Sequence, residues 1–311
     1  MRVAVALWYT DIAMQYLFFD MECADGTHIC SLGYVLTDAY FSVREKKDIL
    51  INPDCPFKLS RAGFDPWIRL AYTEKQFYAH PKFPARYDEI RSLLCAPDRV
   101  LLGHSITSDL NFLIKACMRY DLPLLLPDVY DTQLMYARYK AEKQARSLEY
   151  IVADLGADTT HLTEHKSCDD AEMAMLTAKR LCELSGCTLA ELLAQNPQSK
   201  VCGRSIVLAR AVRENKKAYP KSRHAPVVCL GDTPDYDLDR RIRLINRIFA
   251  RGYGYTDNPA KCRYFVDFGG NGERKNACAA AEKEGKRIRK ITPRELSDML
   301  RAPVDAFGGT D

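Results

Sequence analysis

Three short segments, far apart in the chain, carry four carboxylates and one histidine at spacings that suit hydrolysis of a phosphodiester. Asp20 and Glu22 stand two apart in an apolar run, so on a strand both side chains point to one face. Adjacent carboxylates repel unless a cation sits between them, and the flanking Leu17-Phe18-Phe19 favours burial over a solvated edge strand. Asp109 opens a helix after an apolar strand and the Gly103-His104 turn. It could cap that helix with no metal at all, although Ser105 and Ser108 compete for the capping role. His165 lies in a polar loop before a long helix that begins Asp169-Asp170. An imidazole there is a natural base at neutral pH. Asp170 is the better candidate for joining the other carboxylates. Asp169 points about 100° away around the helix, and is expected to cap it. Four such carboxylates can hold two hard divalent cations about 4 Å apart, and oxygen-only ligands favour Mg²⁺ or Mn²⁺ over zinc.

The elements that must position these groups can be read from the pattern. Residues 15–21, 27–36 and 48–51 read as strands of a three-stranded meander. Residues 99–103 read as a further strand. Helical spacing covers 84–95, 109–120, 131–138, 147–155, 169–184 and 188–195. Strands followed by strand–helix units indicate an α/β fold, a mixed sheet flanked by helices. Residues 197–225, bracketed by Pro197 and Pro226, read as a charged connector around a helix at 205–214. After it comes a smaller strand–helix pattern, with strands at 227–230, 263–268 and 287–291, a weak strand at 252–255, and helices at 237–250, 275–284 and 293–300. The division expected is an extension over 1–13, a first domain over 14–196, a connector over 197–225, a second domain over 226–302 and a tail over 303–311. Met14, just before the first strand, could be an alternative start.

Length and composition bound the partners. A chain of 311 residues favours two domains. The net charge of +4 hides an asymmetry, because residues 1–202 are net acidic and 203–311 net basic. An acidic, cation-binding module beside a basic one suits a polyanionic substrate. The 12 cysteines include no Cys-x-x-Cys pair, so neither a zinc ribbon nor a disulfide framework is indicated, and a reducing, cytoplasmic setting is expected. No apolar run approaches membrane-spanning length.

The segments Phe18-Phe19-Asp20-Met21-Glu22, Gly103-His104-Ser105-Ile106-Thr107-Ser108-Asp109 and His165-Lys166-Ser167-Cys168-Asp169-Asp170 resemble the three motifs of the DEDDh exonucleases. That family includes the bacterial DNA polymerase III epsilon subunit, RNase T and oligoribonuclease. Asp131-Thr132, Leu148-Glu149 and Ala171-Glu172 are supporting matches, and the resemblance covers residues 14–187. It implies an RNase H-like fold, two divalent metal ions, and 3′→5′ hydrolysis of single-stranded ends to nucleoside monophosphates. It makes Asp20, Glu22, Asp109 and Asp170 the metal ligands and His165 the general base. It also places Met21, Cys23, His104, Ser105 and Ser108 at the terminal nucleotide. Cys23 departs from the family's usual Thr, and Ser105 and Ser108 from its Asn and aromatic residue. DNA is expected over RNA, in replication proofreading or repair, with a DNA polymerase or repair complex as partner. The rivals are an exoribonuclease using the same site and a non-catalytic adaptor on a degenerate nuclease fold.

The second domain resembles a BRCT domain in its strand–helix rhythm and in the run from Ala279 to Leu300. Leu230 stands where that family's phosphate-binding Ser or Thr is expected, and the closing-helix Trp is absent. Docking of a DNA end or a protein is therefore expected over phosphopeptide binding. The basic residues Lys275, Lys286, Arg287, Arg289 and Lys290 would supply the contact.

Overall fold

The computed structural model describes residues 14–59, 69–219, 225–232 and 238–301. The stretches read as an extension (1–13) and a tail (303–311) lie outside the described residues. The chain divides into two compact units, Met1–Ile206 and Val207–Asp311.

In the first unit, β1 (Gln15–Cys23), β2 (Ile29–Thr37) and β3 (Val43–Leu50) form the expected antiparallel meander. Among the described residues, the helices α1 (Glu74–Tyr78) and α2 (Phe83–Leu94) follow. Next come β4 (Arg99–Gly103), parallel to β1, and α3 (Thr107–Arg119). Then follow β5 (Asp128–Asp131), α4 (Thr132–Tyr139), α5 (Leu148–Asp154), the long α6 (Ser167–Ser185) and α7 (Leu189–Gln195). The strand β6 (Lys200–Cys202) closes a mixed six-stranded sheet of order β3-β2-β1-β4-β5-β6.

Each face of that sheet carries a core. Leu17, Phe19 and Met21 of β1 pack with α2 and α3, including Ile90, Leu110 and Leu113. Tyr16 and Phe18 face the other way, onto Ala171, Ala174, Met175 and Ala178 of α6. The period of two along β1 therefore puts Asp20 and Glu22 on the α6 side, at the carboxyl end of the strand.

Three readings are corrected. The third strand is not confined to 48–51: it begins at Val43 and runs through Arg44, Glu45, Lys46 and Lys47. It is a charged edge strand, and its polar half carries no apolar signal. The strands β5 (DVYD) and β6 (KVC) were not expected, since neither has an apolar run long enough to stand out. Within the stretch read as a connector, residues 200–202 form β6, paired antiparallel with β5, and the helix expected at 205–214 is α8, longer at Gly203–Ala218.

In the second unit, β7 (Val227–Leu230), α9 (Leu238–Ala250), β8 (Gly254–Tyr255), β9 (Tyr264–Val266), α10 (Glu273–Lys283), β10 (Arg289–Ile291) and α11 (Pro293–Met299) succeed one another. The four strands are all parallel, in the order β10-β9-β7-β8. Val228, Leu230, Ile245, Ile248, Phe249 and Val266 form the core. Buried Arg241 of α9 donates to the carbonyls of Leu230 (3.0 Å) and Gly231 (3.2 Å), which fixes the end of β7. Among the described residues, no helix is long and apolar enough to cross a membrane.

One contact sets the position of α6. Gly33 of β2 pairs with Asp20 of β1, and a Cβ at Gly33 would overlap the backbone of Ser167 and Cys168. The first turn of α6 rests directly on the sheet there. We expect Gly33→Ala to lower unfolding free energy by about 1–3 kcal/mol, the usual cost of overpacking. Urea denaturation of the two proteins measures it, and equal stabilities would contradict the contact.

Candidate active site

Glu22, His165 and Asp170 each offer a ligand atom, and these atoms lie within 4.8 Å of one another. The His165 Nδ1 is 3.2 Å from Glu22 Oε1. That hydrogen bond, with the Glu22 charge, raises the His165 pKa above its ordinary 6.5, while partial burial opposes the rise. His165 has a left-handed backbone (φ 58°), and its carbonyl accepts the Ala71 N–H at 3.1 Å. The unusual φ turns the chain out of the polar loop so that the ring meets Glu22 one residue before the α6 cap.

Asp109 is the third residue of α3 and is buried. Its Oδ1 accepts the backbone N–H of Met21 at 2.9 Å, which ties the start of α3 to the stretch of β1 between Asp20 and Glu22. Asp20 faces the same cluster. Burial raises its pKa well above the ordinary value, and the charges of Asp109, Glu22 and Asp170 add to the rise. Burial likewise raises Asp109, against the Met21 hydrogen bond. Asp170 is only 7% exposed, and its Oδ1 has no hydrogen-bond partner among the described residues. Burial first, then the Glu22 charge, pushes its pKa up to about 8.

The donor set fits hard divalent cations. Four carboxylates converge with no Lys or Arg partner of their own among the described residues, and one buried oxygen lacks any hydrogen bond. Burial, and like charge after it, raise the pKa values of Asp20, Asp109 and Asp170, and a cation would relieve that repulsion.

The helix ends are secured by residues other than those expected. Asp169 does not cap α6. It pairs with Lys46 of β3 (2.5 Å) and accepts the Thr163 N–H (3.0 Å). Burial pushes Asp169 upward, but the Lys46 and Thr163 bonds prevail and hold its carboxyl below the usual range. The α6 N-terminus is instead held by Asp48, whose Oδ1 accepts the Cys168 N–H at 2.8 Å, and Tyr72 donates to Asp48 Oδ2 at 2.6 Å. Neither Ser105 nor Ser108 caps α3, which has no side-chain cap at its N-cap residue. Asp131 accepts the N–H groups of Ser105 and Ile106, each at 3.1 Å, and Thr132 Oγ1 donates to the Gly103 carbonyl. Asp48 and Lys46 are thus positioning residues missed in the sequence, and Asp131, named there as a supporting match, is a third. For Gly33 a signal existed, since a Gly inside a strand pattern marks a close backbone approach.

The five residues expected at the terminal nucleotide lie on β1 and at the start of α3. Met21 is on the opposite face of β1 from Asp20 and Glu22, with its side chain in the core and its N–H bonded to Asp109. Cys23 is also buried in that core, and burial pushes its thiol pKa up. His104 sits beside Gln133 (Nε2 to Nε2, 3.3 Å), and burial pushes its pKa down to about 4, so it stays neutral. Ser105 has a positive φ in the turn before α3, and Ser108 is exposed on its first turn. In the second unit, Lys275 pairs with Asp267 (3.0 Å), Lys290 with Glu282 (2.7 Å) and Arg289 with Glu295 (3.9 Å). Lys286 and Arg287 are exposed. Three of the five basic residues are therefore in ion pairs.

Residues 77–181 match the family described as "DNA polymerase III subunit epsilon-like, C-terminal domain". That stretch includes Asp109, His165 and Asp170 and stops short of Asp20 and Glu22. No curated protein matches the chain. Solved structures similar to it include a full-length 3′-exonuclease, at 14% identity over 56% of this chain and 83% of that one, with a TM-score of 0.44. Another is the nuclease domain of 3′hExo, a DEDDh family member, bound to rAMP, at 18% identity over 56% and 92%, with a TM-score of 0.45. A third is E. coli exonuclease I with a dT13 oligonucleotide, at 18% identity over 56% and 41%, with a TM-score of 0.42.

The raised Asp170 pKa has a consequence for stability. Between its ordinary value of 3.8 and about 8, the unfolded chain has lost this proton while the folded chain keeps it. The metal-free fold therefore loses stability as pH rises through that window. We expect Asp170→Asn, in EDTA, to melt above the unsubstituted protein, with a gap that widens from pH 4 to pH 8. A gap that stays constant or narrows would contradict the raised pKa.

Proposed function

We propose that the protein is a metal-dependent 3′→5′ exonuclease that releases nucleoside monophosphates from single-stranded DNA ends. One observation carries the reading. Four carboxylates from β1, α3 and α6 converge with an imidazole that already contacts one of them. The family match over residues 77–181 supports it.

Asp20, Glu22, Asp109 and Asp170 would hold two Mg²⁺ or Mn²⁺ ions, which when bound supply Lewis-acid stabilisation of charge on the phosphoryl oxygens. His165 is the general base. Its Nδ1–H is held by Glu22 Oε1, which leaves the Nε2 lone pair to accept a proton from the attacking water. The water oxygen forms the new bond to phosphorus, the bond to the 3′-oxygen breaks, and the shortened strand leaves with that oxygen. The Glu22 bond both fixes the tautomer and raises the basicity of the ring.

We assign the second unit to docking. Its all-parallel four-stranded sheet, with helices after β7, β9 and β10, supports a BRCT-like reading. Asp232 accepts the Arg274 and Lys275 N–H groups at the start of α10, so an internal carboxylate already occupies that helix end. This favours DNA or protein over a phosphopeptide. The description of the matched family supports a replication or repair setting with a polymerase or repair complex. The twelve unbridged cysteines support a reducing, cytoplasmic one.

Digestion of 5′-labelled single-stranded DNA and RNA of one sequence, with Mg²⁺, Mn²⁺ or EDTA, tests the reading. We expect a metal-dependent ladder shrinking from the 3′ end, faster on DNA. His165→Ala should slow it by about 10²–10⁴-fold, the usual worth of a general base, with substrate affinity retained. Asp170→Asn should abolish it. A folded, metal-supplied protein that leaves both substrates intact would overturn the proposal. A faster RNA ladder would reassign the substrate.

A further inference from the structure

A second group of ligand-type side chains lies outside the cluster just described. Asp25 and His28 are in the loop between β1 and β2, and Cys55 is in the loop after β3. One ligand atom from each lies within 4.8 Å of the other two. The donors differ in kind: a carboxylate oxygen, an imidazole nitrogen and a sulfur.

The loops are held in place by their own backbone bonds. Ala24 N–H donates to the His28 carbonyl at 2.8 Å, and Lys58 N–H donates to the Ala24 carbonyl at 2.7 Å. Asp25 Oδ1 accepts the N–H groups of Thr27 and His28, each at 2.9 Å, and the Thr27 hydroxyl at 2.9 Å. The second oxygen, Oδ2, meets His28 Nδ1 at 2.8 Å. All three side chains are partly exposed, so an ion can enter without opening the core.

We propose that Asp25, His28 and Cys55 form a binding site for a borderline-soft divalent metal of the zinc class. The mixed nitrogen, oxygen and sulfur donors are those zinc takes, whereas the oxygen-rich carboxylate cluster favours magnesium or manganese. Binding releases the Cys55 thiol proton and takes the imidazole in its neutral form. Asp25 and the Cys55 thiolate then balance the dication. Three protein donors leave a fourth position for water. The ion would clip the loop that continues β1 beyond Glu22 to the loop that follows β3.

Titration of the full chain with Co²⁺, followed by absorption, tests the site. Cobalt reports sulfur ligation by a thiolate charge-transfer band, which a carboxylate-only site cannot give. We expect that band in the unsubstituted protein and in Cys95→Ser, its loss in Cys55→Ser, and bleaching by added Zn²⁺, which binds such sites more tightly. His28→Ala should weaken Co²⁺ binding by more than about tenfold, since even outer partners of a metal ligand cost that much. No thiolate band at saturating Co²⁺, or an equal band in Cys55→Ser, overturns the proposal. A measurement needing no variant is alkylation of the unsubstituted protein by iodoacetamide, read by mass spectrometry. Zn²⁺ should slow modification of Cys55 relative to Cys95, and equal rates with and without Zn²⁺ would overturn the site.

Discussion

The backbone of α6 lies against β2 at Gly33, and the arrangement of the carboxylate cluster depends on that approach. A helix seated on side chains would stand farther from the sheet. Here the first turn of α6 reaches the strand pair itself, beside the position where Gly33 faces Asp20. The Ser31 and Ser167 hydroxyls meet at 2.5 Å across the same contact. Asp48 and Lys46, both on the charged edge strand, hold the Cys168 N–H and the Asp169 carboxylate. Asp170 and His165 are thereby brought beside Glu22 by backbone contacts and buried polar bonds.

The same close placement carries an electrostatic cost. Asp20, Asp109 and Asp170 are all pushed toward the protonated form, chiefly by burial and further by like charge. Hydrophobic contacts on both faces of the sheet must offset this, since Leu17 and Phe19 anchor β1 on one side and Tyr16 and Phe18 on the other. A site that is costly when empty is poised to gain from a bound cation, because the ion removes repulsion that folding has already imposed. The contrast with Asp169 is instructive. One residue away, with Lys46 beside it, the same side chain is held below its ordinary pKa.

Elements with an apolar period were legible. The meander, α3, α6 and the strand–helix order of the second unit follow from runs such as Leu17-Phe18-Phe19 and from the Ala-rich face of α6. Elements that exist only by pairing were not. The strands β5 and β6 and the first half of β3 have too few apolar residues to signal burial, and they form because a neighbouring strand offers its ladder. Met21 shows the limit of reading by adjacency. It stands between two ligand-type residues in the chain, yet the pleat sends its side chain into the core on the other face.

The sequence by itself determined which residue types could do chemistry, on which faces of which elements, because period and spacing are local properties. It placed Asp20 with Glu22 and set His165 five residues before Asp170. Tertiary structure alone decided how these segments are held together. The Met21 N–H bond to Asp109, the Asp131 grip on the turn before α3 and the Asp48 grip on α6 all join residues far apart in the chain. So does the left-handed turn at His165 that brings the ring to Glu22. Such partners are fixed by which backbone groups are left unsatisfied once helices and strands pack, and that is settled only when the whole sheet has formed.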